Sequence, residues 1–273
     1  MKYDPAKTLF VTDLDGTLLR SDGTLAEETA AAFNHMAAAG MKLTFATARS
    51  YHTAMLVAGA LQPQIPLILH NGTFLADRAD GRILAGNYLE NLPAVHEALD
   101  AAELAPIVFS RRGGRQHFSY LKANITPGIR SFLDTHPNDP RELPVSSADA
   151  LWAGDVFGVT CIDARERLAP VYERMKDVYS CLLGQDYYSG DYWLELNSPR
   201  ATKAAAVLQL RGMLGCERVV VFGDGHNDIS MFEAADEGYA VAGAEDALKA
   251  IATAVIGSND ENGVVRWLRE NVF

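Results

Sequence analysis

Two aspartates separated by one residue, Asp13 and Asp15, follow a short apolar run near the start of the chain. That run, residues 9–11, is typical of a buried strand, and side chains two residues apart on a strand point to the same side. Carboxylates at the end of a buried strand cost free energy unless a positive charge or a cation pairs with them. The spacing therefore predicts an acidic site beyond this strand, with an Asx turn before Gly16 as the plainer alternative.

A second apolar strand, within "VVVFGDGHNDISMF" (residues 219–232), also ends in acidic residues. Asp224 stands at the strand end, and Asp228 follows four residues later, near the start of the next helix. Three or four carboxylates that meet at one sheet edge form a hard-oxygen site that suits Mg²⁺. For Asp228 alone, helix capping is the alternative, and it is compatible with such a site.

Two further polar residues lie where predicted elements meet. Thr47 comes just after the second predicted strand, in "TFATAR", and an ordinary cap or turn hydroxyl is its alternative interpretation. Lys203 begins the helix after "LNSPRAT". A lysine in the first turn of a helix is mildly unfavourable against the helix dipole, so an anion beside it would rationalise this position. The alternative is a solvated surface lysine.

The elements that must position these residues are strands alternating with helices at both ends of the chain. This alternation over the first ninety and the last eighty residues predicts an α/β fold with a parallel sheet covered on both faces. The middle has an α+β pattern, including a hairpin that turns at Gly113-Gly114. We therefore expect residues 1–86 and 191–273 to form one α/β core and residues 87–190 to form an inserted domain. In the first helix, Thr24 and Glu27 predict a capping box and Gly40 a C-terminal stop.

The amino-acid composition of the chain disfavours some classes of function. The chain has 273 residues, 48% of them hydrophobic, and a net charge of −11, which disfavours a general binder of nucleic acid or of anionic membranes. The three cysteines include no CxxC pair, and free thiols are typical of a reducing cytosol. Since neither a signal peptide nor a membrane span is evident, we expect a cytoplasmic protein.

Four segments together resemble the motifs of the haloacid dehalogenase superfamily of phosphatases and phosphotransferases. "DLDGT" (13–17) resembles the first motif, Thr47 the second, Lys203 the third and "GDGHND" (223–228) the fourth. The order and strand placement of the motifs also agree, over nearly the whole chain. The long insertion, together with "ILHNGTFLAD" before it, resembles the Cof-like subfamily with a C2-type cap. The resemblance implies a Rossmann-like, doubly wound parallel sheet with an inserted α+β cap domain.

The resemblance also implies a Mg²⁺-dependent phosphatase that hydrolyses a small phosphorylated metabolite, such as a sugar phosphate, through an aspartyl-phosphate. Asp13 would be the nucleophile and Asp15 the general acid and base, with Lys203 offsetting the phosphate charge. The implied metal site uses Asp13, the backbone carbonyl of Asp15, Asp224, and Asp228 through its waters. The implied phosphate-binding groups are the side chains of Thr47, Lys203 and Asn227 and the backbone N–H groups of Leu14 and Ala48.

Two departures from the subfamily are visible. Ala48 stands where the subfamily usually has glycine, which is tolerated unless the position needs a positive φ. The cap is short for its type, so its substrate contacts cannot be transferred by motif. Candidates to face the substrate are Arg111, Arg112, Arg115, His117, Tyr187, Tyr188 and Trp193. For most of them we favour the alternative, in which the arginines are exposed to solvent and the aromatic side chains are packed.

Other functions remain open at the sequence level. A phosphomutase of the same fold would return the phosphoryl group to a sugar instead of passing it to water. A catalytically silent binding or regulatory protein is a rival from another class, although Asp13, Asp15, Lys203 and Asp224 are all present. A receiver-like module, phosphorylated as a signal, lacks the large insertion and the second aspartate. We expect no nucleic-acid or membrane partner, and either a monomer or a homodimer.

Overall fold

The computed structural model describes residues 3–185 and 190–273, which divide into two compact units. The first unit joins the residues up to Gly86 with Ala201–Phe273, and the second is Asn87–Arg200. The first unit resumes at Ala201 and not at 191, because the strand Tyr192–Asn197 pairs with two strands of the second unit. That the first unit is a catalytic core and the second a cap remains a functional prediction.

Strands and helices alternate through most of the chain. The strands are β1 (Thr8–Thr12), β2 (Lys42–Phe45), β3 (Leu67–Leu69), β4 (Phe74–Ala76), β5 (Ile83–Gly86), β6 (Pro106–Arg112), β7 (Arg115–Ser119), β8 (Asp155–Asp163), β9 (Ser180–Gln185), β10 (Tyr192–Asn197), β11 (Arg218–Gly223), β12 (Glu237–Val241) and β13 (Ala254–Ile256). The helices are α1 (Glu27–Ala38), α2 (Tyr51–Ala58), α3 (Leu92–Ala101), α4 (Pro127–Asp134), α5 (Ala148–Leu151), α6 (Arg165–Met175), α7 (Lys203–Leu214), α8 (Ile229–Ala234), α9 (Asp246–Ile251) and α10 (Gly263–Asn271). Short 3₁₀ segments occur at His70–Gly72, His226–Asp228 and Asn259–Glu261.

A parallel sheet with the order β13-β12-β11-β1-β2 forms the centre of the first unit. A parallel bridge between Ala46 and Ile68 brings β3 to its β2 edge. Every residue of β1 is buried, as are residues 219–223 of β11. Near-continuous apolar strands of this kind are typical of parallel sheets covered on both faces. The predicted α/β class with a parallel sheet is therefore confirmed.

Helix α1 begins differently from the prediction. Its N-cap is Ala26, without a side-chain cap, whereas the Thr24 amide and hydroxyl both bond to Asp22 Oδ1. The predicted capping box is therefore wrong, because Thr24 instead forms a local turn through its hydrogen bonds to Asp22. The predicted stop is observed: Gly40 has a φ of +95° and the Met41 N–H donates to the Met36 carbonyl.

The second unit contains an antiparallel sheet with the order β7-β6-β8-β10-β9. Strands β6 and β7 form the predicted hairpin, whose turn residues Gly113 and Gly114 have φ values of +55° and +83°. Because glycine has no Cβ, it adopts positive φ angles at little cost, and both positions of this turn therefore suit glycine. Residues from α3, α6 and the sheet share a buried apolar cluster. In the described part of the chain, no helix has the length and apolar character of a membrane span.

Candidate active site

Three adjacent strands of the parallel sheet carry the candidate site at their carboxyl ends. Asp13 follows β1, Thr47 follows β2, and Asp224 follows β11. The Asp13 N–H donates to the Phe222 carbonyl at 2.9 Å, which holds the ends of β1 and β11 side by side. Ligands of open α/β sheets bind beyond this edge. The strand order therefore brings together residues about two hundred positions apart in sequence.

Lys203 is the positive charge at this edge. Its Nζ donates to Asp13 Oδ1 at 2.6 Å and to Asp228 Oδ1 at 2.7 Å, and its side chain is fully buried. The Thr202 hydroxyl caps the helix by accepting from the Ala205 N–H, which fixes where α7 starts and where Lys203 points. Burial favours the neutral amine, but the two carboxylates outweigh it and raise the pKa of Lys203. The alternative of a solvated surface lysine is therefore wrong.

Asp13, Asp224 and Asp228 form a cluster of carboxylates that could hold a metal ion. One oxygen from each lies within 4.8 Å of the others. When all three carboxylates are ionised, one ammonium group leaves two negative charges uncompensated, which matches a divalent cation. An all-oxygen donor set suits a hard ion. The residues present therefore fit a divalent metal site.

The pKa values of two carboxyl groups in the cluster are raised, which agrees with a shortage of positive charge around them. Burial raises the pKa of Asp13, and the lysine beside it only partly opposes this effect. Burial also raises the pKa of Asp224, against a hydrogen bond from Thr17. A bound cation would favour the ionised form of both groups.

Asp228 shapes the loop that carries Asp224. Its Oδ2 accepts from the backbone N–H groups of Asp224 and Gly225 at 3.0 and 3.2 Å, while Oδ1 accepts from Lys203. A Cβ on Gly223 would lie 2.6 Å from Asp228 Oδ2, so only glycine leaves room for this fold-back. Asp228 thus caps the 3₁₀ segment His226–Asp228 and pairs with Lys203, whereas it makes no side-chain cap bond on helix α8.

Gly16 and Thr17 connect the first acidic segment to Asp224. The Thr17 hydroxyl donates to Asp224 Oδ1 at 2.6 Å, and the threonine is buried. Gly16 has a φ of +75°, and a Cβ there would lie 2.3 Å from Asp224 Oδ2. No signal in the sequence points to this pair, because the two residues lie 207 positions apart.

The predicted phosphate-binding groups lie along the same sheet edge. Thr47 is buried, and Asn227 Nδ2 donates to Asn71 Oδ1 at 3.2 Å. The backbone N–H groups of Leu14 and Ala48 donate no hydrogen bond to the described part of the chain. Ala48 is not among the described residues with a positive φ, so the alanine carries no backbone strain at this position.

The Asp15 side chain lies outside the carboxylate cluster. It forms a two-point pair with Arg49, from Nε to Oδ2 at 2.8 Å and from Nη2 to Oδ1 at 2.7 Å. The side chains are 31% (Arg49) and 47% (Asp15) exposed, and ion pairs this open to water contribute at most about 1 kcal/mol. The structure thus separates the two aspartates of the first segment, since Asp13 faces Lys203 and Asp15 faces Arg49.

A family comparison agrees with this arrangement. The model of the haloacid dehalogenase-like hydrolases matches residues 10–268. The chain belongs to this family. The predicted family membership and hydrolase class are therefore confirmed, and the matched range contains every residue of the site described above.

Individual haloacid dehalogenase-like proteins resemble the chain over nearly its full length. The 5-amino-6-(5-phospho-D-ribitylamino)uracil phosphatase YitU of Bacillus subtilis is 25% identical over 269 residues, 96% of each chain. The pyridoxal phosphate phosphatase YbhA of Escherichia coli is 25% identical over 270 residues, 96% of this chain and 97% of the relative. A crystal structure from Thermotoga maritima superposes with a TM-score of 0.77 at 21% identity, covering 97% of both chains. The structural likeness supports the fold.

The Asn-Gly segment after β3 has a structural role that the sequence did not reveal. Asn71 has a φ of +52°, and its N–H donates to the Thr47 carbonyl at 2.9 Å. Gly72 has a φ of +95°, and a Cβ there would lie 2.1 Å from the Thr202 carbonyl oxygen. The segment therefore packs against the start of α7, the turn that presents Lys203.

Of the candidates in the second unit, two have packed roles. Arg112 donates to Ser110, Ser119 and the Leu151 carbonyl, and Trp193 packs against a small apolar cluster. Tyr187 and Tyr188 lie outside the described residues. The packed interpretation is thus correct for Trp193, whereas the expectation of an exposed Arg112 is wrong, because the side chain is half-buried and hydrogen-bonded.

Proposed function

We propose that this protein is a Mg²⁺-dependent phosphatase that hydrolyses a small phosphate monoester through an aspartyl-phosphate on Asp13. One observation carries the proposal: Asp13 lies buried at the end of β1, bonded to Lys203 and clustered with Asp224 and Asp228. A structural role alone does not require three carboxylates around one lysine, because a buried charge excess of this kind is costly. The first unit would be the catalytic core and the second the cap.

The chemistry must overcome repulsion between an anionic nucleophile and an anionic ester. Lys203, 2.6 Å from Asp13, supplies positive charge where negative charge accumulates during phosphoryl transfer. A bound Mg²⁺ would act as a Lewis acid on the phosphoryl oxygens and neutralise part of their charge. Asp13, Asp224 and the backbone carbonyl of Asp15 would bind that ion, and Asp228 would order its waters.

The proposed reaction has two steps on this chain's own residues. In the first, an Asp13 oxygen attacks phosphorus, the bond to the leaving oxygen breaks, and that oxygen takes a proton from Asp15. In the second, Asp15 accepts a proton from water, whose oxygen attacks the aspartyl-phosphate, and inorganic phosphate leaves as Asp13 is restored. Proton and electron pair balance over the cycle, and Asp15 returns to its starting state.

The phosphoryl oxygens would be held by groups at the same sheet edge. Thr47 and Asn227 offer side-chain donors there, and the N–H groups of Leu14 and Ala48 are not used within the described chain. Donors fixed by the backbone need no reorganisation during the reaction. These assignments rest on the strand-end geometry and on the family match.

The substrate class follows from the relatives. The names of YitU and YbhA specify small phosphorylated metabolites, and a small phosphate ester, including a sugar phosphate, is the class that we propose here. A monomer or homodimer and a cytoplasmic location remain predictions, the latter from cysteines that are all free.

Release of inorganic phosphate tests the proposal. The protein is incubated with p-nitrophenyl phosphate and with a panel of sugar phosphates, nucleotides and cofactor phosphates, in Mg²⁺ and in EDTA. We expect phosphate release that requires Mg²⁺ and that is absent in Asp13→Asn. Turnover that persists unchanged in EDTA would overturn the metal assignment, and inactivity across the panel would overturn the phosphatase.

The same panel separates a phosphatase from a phosphomutase. A phosphomutase would convert one sugar phosphate into an isomer and release little free phosphate, whereas we expect stoichiometric phosphate. Chromatography of the products from each accepted sugar phosphate distinguishes these results.

A further inference from the structure

Arg49 is a charged residue beside the site to which neither the motifs nor the proposed reaction assign a role. Its guanidinium bonds both oxygens of the Asp15 carboxylate, at 2.8 and 2.7 Å. A planar guanidinium that meets a carboxylate through two parallel hydrogen bonds fixes the orientation of the carboxylate as well as its distance. The pair therefore determines where the Asp15 oxygens point.

The backbone of Arg49 is held on both sides. Its N–H donates to the Thr47 hydroxyl at 3.1 Å, and its carbonyl accepts from the His70 N–H at 3.1 Å. The next residue, Ser50, caps α2 by accepting from the Thr53 N–H. The guanidinium thus extends from a fixed point on the loop after β2.

Asp15, in contrast, has little else to fix its side chain. It is 47% exposed, and within the described residues Arg49 provides its side-chain hydrogen bonds. An exposed aspartate samples several χ1 rotamers, and only some of them can direct a carboxyl toward a leaving oxygen. The Arg49 fork selects one of these rotamers.

We propose that Arg49 is a positioning residue that holds the Asp15 carboxyl in the orientation required for proton transfer to the leaving oxygen. This role rests on the proposed phosphatase function. Asp15 also acts as the base in the second step, which is the same for every ester, so the effect of Arg49 on the first step is measured as kcat/KM. In that first step a weak leaving group depends on the proton and a good leaving group does not.

Two aryl phosphates of similar size test this role. The p-nitrophenolate anion leaves readily without a proton, whereas phenolate is more basic and needs one. We expect Arg49→Ala to lower kcat/KM for phenyl phosphate by about tenfold more than for p-nitrophenyl phosphate. Arg49→Lys retains the charge but not the fork, so its effect should be intermediate. Arg82→Ala, which breaks an exposed arginine–aspartate pair in the same unit, is the matched control.

A double-mutant cycle identifies the group through which Arg49 acts. Once Asp15→Asn has removed the proton donor, Arg49→Ala should no longer discriminate between the two esters. Equal losses of kcat/KM on both esters, or a rise in KM that persists in the Asp15→Asn background, would overturn the role and assign Arg49 to the substrate phosphate. Unchanged kinetics would show a surface ion pair only.

Failure of the proposed function is a separate result. If the unmodified protein with Mg²⁺ released phosphate from neither ester, the phosphatase assignment would fall and the Arg49 role with it. If it were active and Arg49→Ala showed no leaving-group dependence, only the Arg49 role would be overturned. Circular dichroism of each variant would confirm that the fold is retained.

Discussion

The Thr17 hydroxyl donates a 2.6 Å hydrogen bond to Asp224 Oδ1, across 207 positions of sequence. The threonine is buried, and its partner is one of three carboxylates that could hold a metal ion. Groups that form a hydrogen bond with a metal-binding side chain fix the orientation of that side chain and tune its affinity for the metal. Thr17 therefore orients Asp224 in the candidate metal site, although Thr17 itself offers no metal ligand.

Replacement of Thr17 by valine should weaken metal binding without abolishing it. Thr17→Val keeps the shape of the side chain but removes the hydroxyl, so Asp224 loses its orienting bond. We expect the Mg²⁺ concentration for half-maximal activity to rise about tenfold or more, with a smaller change at saturating Mg²⁺. Thr17→Ser restores a hydroxyl and should recover most of the affinity. An unchanged Mg²⁺ dependence in Thr17→Val would remove this role.

Asp13→Asn should abolish turnover and retain the fold. The amide cannot act as the nucleophile, yet it occupies the same volume and can still accept a hydrogen bond from Lys203. Phosphate release and thermal unfolding measure the two effects. Asp246→Asn, at an exposed position in the first turn of α9, is the control and should keep full activity. Substantial activity in Asp13→Asn would contradict the aspartyl-phosphate mechanism.

Lys203→Met should destabilise the protein, and Mg²⁺ should restore part of the loss. The substitution leaves two buried carboxylates, Asp13 and Asp228, without their counter-charge. Loss of one partner from a buried ion pair costs about 3–5 kcal/mol, which urea unfolding in EDTA would measure. Lys7→Met breaks an exposed pair with Glu217 of similar length, 2.7 Å, and should change stability little. Equal effects of the two substitutions would show that burial does not matter here.

Gly72→Ala should cost more stability than Gly40→Ala. Both glycines have a φ of +95°, so the backbone strain of an added Cβ is the same at the two positions. Only at Gly72 would the Cβ meet another group, the Thr202 carbonyl oxygen at 2.1 Å, whereas nothing lies within 4 Å at Gly40. We expect the additional cost to be about 1–3 kcal/mol, measured by urea unfolding. Gly72→Ala should also lower the activity, because a shift of the Thr202 backbone would displace Lys203, the first residue of α7. Equal losses at the two positions would contradict the contact.

The sequence predicts those parts of the site that strand ends carry. Asp13, Thr47 and Asp224 each follow an apolar run, and the carboxyl ends of parallel strands meet at one edge. The hairpin at Gly113-Gly114 was predictable for a similar reason, since its turn residues alone decide the φ angles. In such cases the local sequence is sufficient to predict the structure.

Contacts between distant segments are not predictable in this way. Arg49 lies two residues beyond Thr47 at the same strand end, which is a signal of proximity, but only the folded chain shows that it bonds Asp15. The failed capping box at Thr24 shows competition between two local partners, of which Asp22 was the nearer. The start of the second segment of the first unit at Ala201 depends on the pairing of β10, a tertiary property.

The pairing of β1 with β11 constrains the order in which the chain can fold during synthesis. The ribosome releases the strand before Asp13 about two hundred residues ahead of its neighbour β11, and Lys203 is made only after the whole second unit. Domains generally fold as units as they emerge, so the second unit can form first while the N-terminal segment waits. Non-local pairing of this kind slows folding. The acidic strand end thus remains without its counter-charge until synthesis has passed Lys203, and without its neighbouring strand until it has passed β11.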